Sequence, residues 1–218
     1  MFFHYEARFM IQPVPPARAP QGARRLVFSC ALATLALSLW LPAQAQPASS
    51  PAVTACPALL QHTFLRLQDE KKQPLCQYAG RVVLVVNTAS YCGFTGQYAG
   101  LEALHKRFQA RGLVVLGFPS NDFGQQEPGS NQAIADFCEN TFGVKFPMFA
   151  KSSVKGPEAS PLFQQLAQLS GTAPRWNFHK YLLGRDGKLV DNYSSLTGPD
   201  NKGLVRAIEQ QLARPVPR

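Results

Sequence analysis

Two runs of aliphatic, mostly β-branched residues constrain this chain more than any other feature. Arg81-Val82-Val83-Leu84-Val85-Val86-Asn87 shows no apolar–polar alternation, the pattern of a strand covered on both faces. Leu113-Val114-Val115-Leu116-Gly117-Phe118 repeats the pattern and is stopped by Pro119. Between the runs, Leu101, Leu104 and Phe108 recur at helical spacing from about Tyr98 to Arg111, and Gly112 supplies the stop. Strands that are apolar on both faces need helices on both sides of the sheet they form.

The chain continues in the same alternation. Asn131 to Thr141 reads as a helix capped by Ser130 or Asn131, Phe146-Pro147-Met148-Phe149 as a short strand, and Pro161 to Leu169 as a further helix. Tyr181-Leu182-Leu183 and Lys188-Leu189-Val190 flank Gly184-Arg185-Asp186-Gly187, whose Asp-Gly step predicts a hairpin. Leu204 to Leu212 closes the chain as an amphipathic helix. The expected class is α/β, with a central mixed β-sheet flanked by helices. There are no internal repeats and no glycine-rich phosphate loop.

The N-terminal segment is of another kind. Arg24-Arg25 precede an apolar run from Leu26 to Leu41, and Ala43-Gln44-Ala45 follows, which are the three parts of a secretory signal. The run is shorter than the ~20 residues of a membrane-spanning helix, so 1–45 is expected to be removed after Ala45, with a retained anchor as the alternative. Residues 46–57 read as a flexible Pro-rich tether and 58–218 as the folded domain, placed in the periplasm or outside the cell. Of the 218 residues, 22 are basic and 13 acidic. Without the leader the balance is 18 against 12, a net +6, and no basic run is longer than Lys71-Lys72. Nucleic-acid binding calls for a clustered stripe interleaved with aromatics, so no nucleic-acid partner is expected, nor a membrane one after cleavage.

Five cysteines are an odd number. Cys30 falls in the leader, which leaves Cys56, Cys76, Cys92 and Cys138. Cys92 lies five residues beyond the first buried strand and about as far ahead of the following helix. A thiol near a helix N-terminus meets the positive end of the helix dipole and free backbone N–H groups, both of which favour thiolate. Position alone leaves a reactive thiol and an inert buried one equally open. Thr95 occupies the place that would complete a Cys-x-x-Cys pair, which argues against an ordinary disulfide exchanger. No metal or other cofactor is expected. No cysteine or histidine pair has zinc-ligand spacing, and His105 stands beside Lys106 and Arg107 on a charged helix surface.

Three blocks then carry a family pattern: Asn87-Thr88-Ala89-Ser90-Tyr91-Cys92-Gly93-Phe94-Thr95, Gly117 to Gly129 with its Gln126-Glu127-Pro128-Gly129, and Arg175-Trp176-Asn177-Phe178. In this order and spacing they resemble the glutathione peroxidase family, from about Leu65 to Leu212. The resemblance implies a thioredoxin-like fold and reduction of hydrogen peroxide or organic hydroperoxides. It makes Cys92 the attacking residue, as cysteine rather than selenocysteine, with Gln126, Trp176 and Asn177 as its polar partners. All three can donate hydrogen bonds to sulfur or peroxide oxygen, and none competes as a charged base. Ser120 and Asp122 depart from residues common in the family, outside the matched four. The stretch from Gly156 to Trp176 resembles members without a tetramer-forming loop, implying a monomer or weak dimer.

Cys138, ahead of Gly143-Val144-Lys145-Phe146-Pro147, is similar to the resolving cysteine of cysteine-containing members. That implies a Cys92–Cys138 disulfide, unwinding of the 131–141 helix to form it, and reset by a thioredoxin-like protein, with glutathione as the alternative donor. Cys56 and Cys76, covered by no catalytic motif, are expected as a structural disulfide in an exported protein, the alternative being a pair that docks a reductant. The competing reading of the whole is a peroxide sensor or redox relay that passes its disulfide to a partner.

Overall fold

The computed structural model describes residues 56–217. The expected signal, its cleavage site, Cys30 and residues 46–55 of the tether lie outside the described residues. The last two tether residues are built into the domain: Cys56 is bonded to Cys76, and the Pro57 carbonyl accepts from the Leu60 N–H at 2.8 Å.

After a 3-10 turn at Ala58–Leu60, β1 (Thr63–Leu65) and β2 (Lys72–Pro74) pair antiparallel as a separate hairpin, followed by a 3-10 turn at Leu75–Tyr78. Only the middle residue of each strand is even half-buried, so no apolar run announces the hairpin in the sequence. The main elements are β3 (Val82–Thr88), α1 (Gln97–Phe108), β4 (Leu113–Pro119), α2 (Asn131–Phe142), α3 (Pro161–Ser170), β5 (Lys180–Leu183), β6 (Leu189–Tyr193) and α4 (Lys202–Leu212). The sheet order is β4-β3-β5-β6, with β3 parallel to β4 and antiparallel to β5. This is the expected mixed sheet.

Every residue of β3 and β4 is buried. Alternation along β3 divides the core in two. Val82, Leu84 and Val86 pack with Leu101, Leu104 and Phe108 of α1 and with Leu204 and Ile208 of α4. Val83 and Val85 face the other way, toward Leu162, Phe163 and Leu166 of α3. Burying each such side chain contributes roughly 1.5–3 kcal/mol, which is why two short apolar runs suffice to centre the fold.

Two expectations are corrected. Phe146–Phe149 is not a strand of its own. It touches the sheet through isolated bridges, Gly117 with Met148 and Arg66 with Phe149, and Pro147 has no amide with which to extend a ladder. The segment lies so close that a Cβ on Gly117 would sit 2.2 Å from the Met148 sulfur. His105 is not on the charged surface of α1. It is buried, accepts from the Val115 N–H through Nδ1 at 3.4 Å, and loses basicity mainly through that burial. No helix among the described residues is long and apolar enough to cross a membrane.

Candidate active site

The C-terminal ends of β3 and β4 and the start of antiparallel β5 lie side by side, Thr88 against Pro119 and Val86 against Lys180. Cys92, Gln126, Trp176 and Asn177 all hang from this edge. Beyond β3, Thr95 closes the turn that carries Cys92. Its hydroxyl accepts from the Cys92 N–H at 2.9 Å and donates to the Ala89 carbonyl at 3.0 Å, and its own N–H donates to the Cys92 carbonyl at 3.0 Å. The residue that breaks a Cys-x-x-Cys pattern therefore shapes the turn. The Cys92 thiol is free, is 9% exposed, and accepts from the Phe94 N–H at 3.4 Å.

The loop after β4 turns back through two successive left-handed residues, Gly124 (φ 62°) and Gln125 (φ 52°). The second has a side chain, which costs about 1–2 kcal/mol. The reversal lets the Gln126 carbonyl accept from the Tyr91 N–H at 3.0 Å, joining this loop to the cysteine turn. Lys151 clamps the following residues, its Nζ donating to the carbonyls of Glu127 (3.1 Å) and Gly129 (2.7 Å).

The third segment enters β5 through Phe178, another side-chain-bearing residue in the left-handed region (φ 63°). Asn87 holds it at three points. Its Nδ2 donates to the Trp176 carbonyl at 3.1 Å, its Oδ1 accepts from the His179 N–H at 3.0 Å, and its own carbonyl accepts from the Phe178 N–H at 2.6 Å. Lys180 adds a fourth: its fully buried Nζ donates to the Phe178 carbonyl at 2.7 Å and to the Gln97 Oε1 at 2.6 Å. Burial brings the Lys180 ammonium down to about 7. So held, Asn177 is fully buried and donates through Nδ2 to the Gln126 Oε1 at 2.9 Å, while Trp176 stays 39% exposed with its ring 5.9 Å from that of Phe123.

Gln126 and Asn177 thus meet directly. Cys92 joins them through its neighbour Tyr91, and Trp176 through its neighbour Asn177. Cys138 stands apart, in the unbroken α2, with a free and buried thiol raised to about 11 chiefly by that burial. Tyr91 and Phe137, the residues preceding the two cysteines, stack with ring centroids 6.1 Å apart. Cys56 and Cys76 are disulfide-bonded with Cα atoms 5.4 Å apart, and Cys56 packs against the core on the opposite side of the sheet from Cys92. Asp122 serves structure: its carboxylate accepts from the Ser153 hydroxyl at 2.9 Å and the Val154 N–H at 2.7 Å. Among the described residues no three His, Cys, Asp or Glu side chains are grouped so as to hold a metal ion. Asn87, Glu127 and Lys180 were not singled out from the sequence. For Asn87 and Lys180 the signal is a polar or charged residue at the end of an apolar strand run; Glu127, in a polar loop, carries none.

A family model described as glutathione peroxidase matches residues 61–167. The glutathione peroxidase-like peroxiredoxin gpx1 of Schizosaccharomyces pombe is 47% identical over 149 residues, which cover 66% of this chain and 93% of that one. This chain belongs to the glutathione peroxidase family. With cysteine at position 92 it is a glutathione peroxidase of the non-selenium type, and it is a peroxidase. The hydroperoxy fatty acid reductase gpx1 of Synechocystis is 52% identical over 154 residues, 66% of this chain and 90% of its own. The crystal structure of Trgpx in apo form is 35% identical, with a TM-score of 0.59 over 73% of this chain and 97% of that one. A thiol:disulfide interchange protein of the thioredoxin family from Chlorobium tepidum gives a TM-score of 0.53 over 70% and 93% at 16% identity. The glutathione peroxidase domain therefore has the thioredoxin-like fold.

Proposed function

We propose that this chain is an exported thiol peroxidase that works through a Cys92 sulfenic acid and a Cys92–Cys138 disulfide. The observation that carries the reading is the Gln126–Asn177 hydrogen bond, which fixes the neutral Asn177 side chain against that of Gln126, on the loop bonded to the Cys92 turn. Cys92 sulfur attacks one peroxide oxygen; the S–O bond forms, the O–O bond breaks, and the departing oxygen takes a proton to leave as water or alcohol. Neutral donors stabilise charge on sulfur and on the departing oxygen without trapping a proton. The half-exposed Trp176, backed by the buried Phe123 ring, offers an apolar surface suited to organic hydroperoxides, and one relative is named for hydroperoxy fatty acids.

The sulfenic acid then condenses with the Cys138 thiol. A disulfide needs Cα atoms within about 7 Å, and Cys138 is buried in an intact helix, so the C-terminal half of α2 unwinds. A thioredoxin-like protein resets the disulfide; the sequence offers no basic run longer than Lys71-Lys72 to grip glutathione, which is the alternative donor. The leader ending at Ala45 directs the protein to the periplasm or beyond, and the mature protein is a monomer or weak dimer.

The test is steady-state peroxide consumption by the mature domain with thioredoxin or glutathione as donor. Cys92→Ser abolishes turnover. Cys138→Ser still consumes one equivalent of peroxide but loses thioredoxin-supported turnover. Undiminished turnover in either variant overturns the role given to that cysteine.

A further inference from the structure

Between the Cys92 turn and α2 lies a buried polar cluster that the peroxide step leaves unused. The Thr88, Ser90 and Tyr98 hydroxyls and both carboxylate oxygens of Glu127 are buried, and none of these atoms meets a partner in hydrogen-bond geometry. Glu127 is fully buried, adjoins Gln126, and forms no salt bridge among the described residues. The groups facing it come from four directions. Ser90 presents its hydroxyl and amide from the Cys92 turn, Tyr98 its hydroxyl from α1, Cys138 its thiol from α2, and Lys151 its ammonium from beyond α2. The Lys151 ammonium is spent on the main-chain carbonyls of Glu127, Pro128 and Gly129. A carboxyl buried without a cationic partner costs several kcal/mol if charged, so an idle glutamate here would be expensive to keep.

We infer that Glu127 is the proton acceptor for Cys138 in the step that forms the Cys92–Cys138 disulfide. The inference rests on the peroxidase reading above. The Glu127 carboxylate removes the proton from the Cys138 thiol as that thiol leaves its buried place on α2. The Cys138 sulfur attacks the Cys92 sulfur; the S–S bond forms and the bond between Cys92 sulfur and hydroxyl breaks. The leaving hydroxide takes the proton from the Glu127 carboxylic acid and departs as water. Cys138 sulfur rises one oxidation level from thiol to disulfide and Cys92 sulfur falls one from sulfenic acid to disulfide, so the two changes cancel and no outside oxidant is needed.

The two groups are matched to this exchange. Burial raises the Cys138 thiol to about 11, so at neutral pH it does not ionise unaided. Burial raises the Glu127 carboxyl to about 7, with Ser90 and Lys151 pulling the other way, which sets it between accepting and returning a proton at neutral pH. Its place in sequence, one residue after Gln126, keeps it beside the sulfenic acid when α2 opens.

The test separates the two steps in single turnover. Reduced mature domain is mixed with one equivalent of hydrogen peroxide; peroxide loss reports Cys92 oxidation, and loss of the remaining free thiol reports disulfide formation. In wild type, disulfide formation accelerates as pH rises through about 7, where Glu127 becomes carboxylate. In Glu127→Gln, peroxide loss proceeds at the wild-type rate, which also shows that the fold is intact. Disulfide formation at pH 7 slows about a hundredfold, the low end of general-base effects, and its limb near 7 disappears. Glu127→Asp retains the limb. Wild-type disulfide formation with an unchanged limb in Glu127→Gln overturns the inference, as does loss of the limb in Glu127→Asp. Absence of Cys92 oxidation in wild type would instead overturn the peroxidase reading, a separate outcome.

Discussion

Lys180 opens a strand that is otherwise wholly apolar, and its environment makes a measurable prediction. Its ammonium is fully buried and donates to two neutral oxygens, with the main-chain carbonyl of left-handed Phe178 as one of them. Burial lowers the folded-state value to about 7 from an ordinary 10.5. Between those values the unfolded chain holds a proton that the folded chain lacks, so stability rises with pH across the window. The slope is about 1.4 kcal/mol per pH unit. Urea midpoints of wild type should therefore climb from pH 7 to pH 10 more steeply than those of Lys180→Met; equal slopes would exclude titration of Lys180 in that window. The sequence exposes Gln126 and Asn177 because they sit in a recognisable block, but Lys180 gives no such notice. Its partner Gln97 is 83 positions away at the start of α1, a pairing that only the packing of that helix against the sheet creates. Glu127 escapes for a related reason: its neighbours Ser90, Tyr98 and Cys138 come from three segments that converge only after folding.

At the scale of elements, α2 carries the conflict between stability and turnover. Ser130 caps it, the Ser130 hydroxyl accepting from the Ala133 N–H at 3.2 Å, and Gly143 ends it at φ 64°. The Gly143 N–H donates to the Glu139 carbonyl at 2.9 Å, one helical residue past Cys138. The Ser130 cap is legible in the sequence. What is not legible is that the 146–149 segment remains a bridge instead of a strand, because the missing Pro147 N–H and a close Gly117–Met148 approach decide it. A Cβ at position 143 would meet no atom within 4 Å, so Gly143→Ala adds only backbone strain of about 1–2 kcal/mol. That strain falls on the end of α2 that must open. Opening should become about fivefold or more easier, since 1.4 kcal/mol is tenfold. Gly143→Ala should therefore form the Cys92–Cys138 disulfide several-fold faster in single turnover, while its thermal midpoint falls. An unchanged or slower disulfide step would mean that opening of α2 does not limit the reaction.

Across the whole molecule, the apolar runs at 81–87 and 113–118 foretell the sheet centre because burial on both faces needs no knowledge of partners. The β1–β2 hairpin is invisible to the same reading, since its strands are short and largely exposed. It is nonetheless enclosed in a loop closed by the Cys56–Cys76 disulfide, which spans 20 residues. Cross-linking a loop of that size removes unfolded-state entropy worth about 3 kcal/mol. The disulfide lies with the core on the α3 side of the sheet, whereas Cys92 and Cys138 lie with the core on the α1 side. Four cysteines in one small domain can thus serve two ends without exchanging, provided the sheet keeps the pairs apart. The double variant Cys56→Ser/Cys76→Ser should unfold at a lower urea concentration, by about 3 kcal/mol in extrapolated stability. Its peroxide turnover with thioredoxin, measured well below the unfolding transition, should match wild type. A stability loss without a change in turnover identifies the pair as structural, whereas loss of thioredoxin-supported turnover with peroxide attack intact would make Cys56 and Cys76 a second redox pair in the path of the reductant.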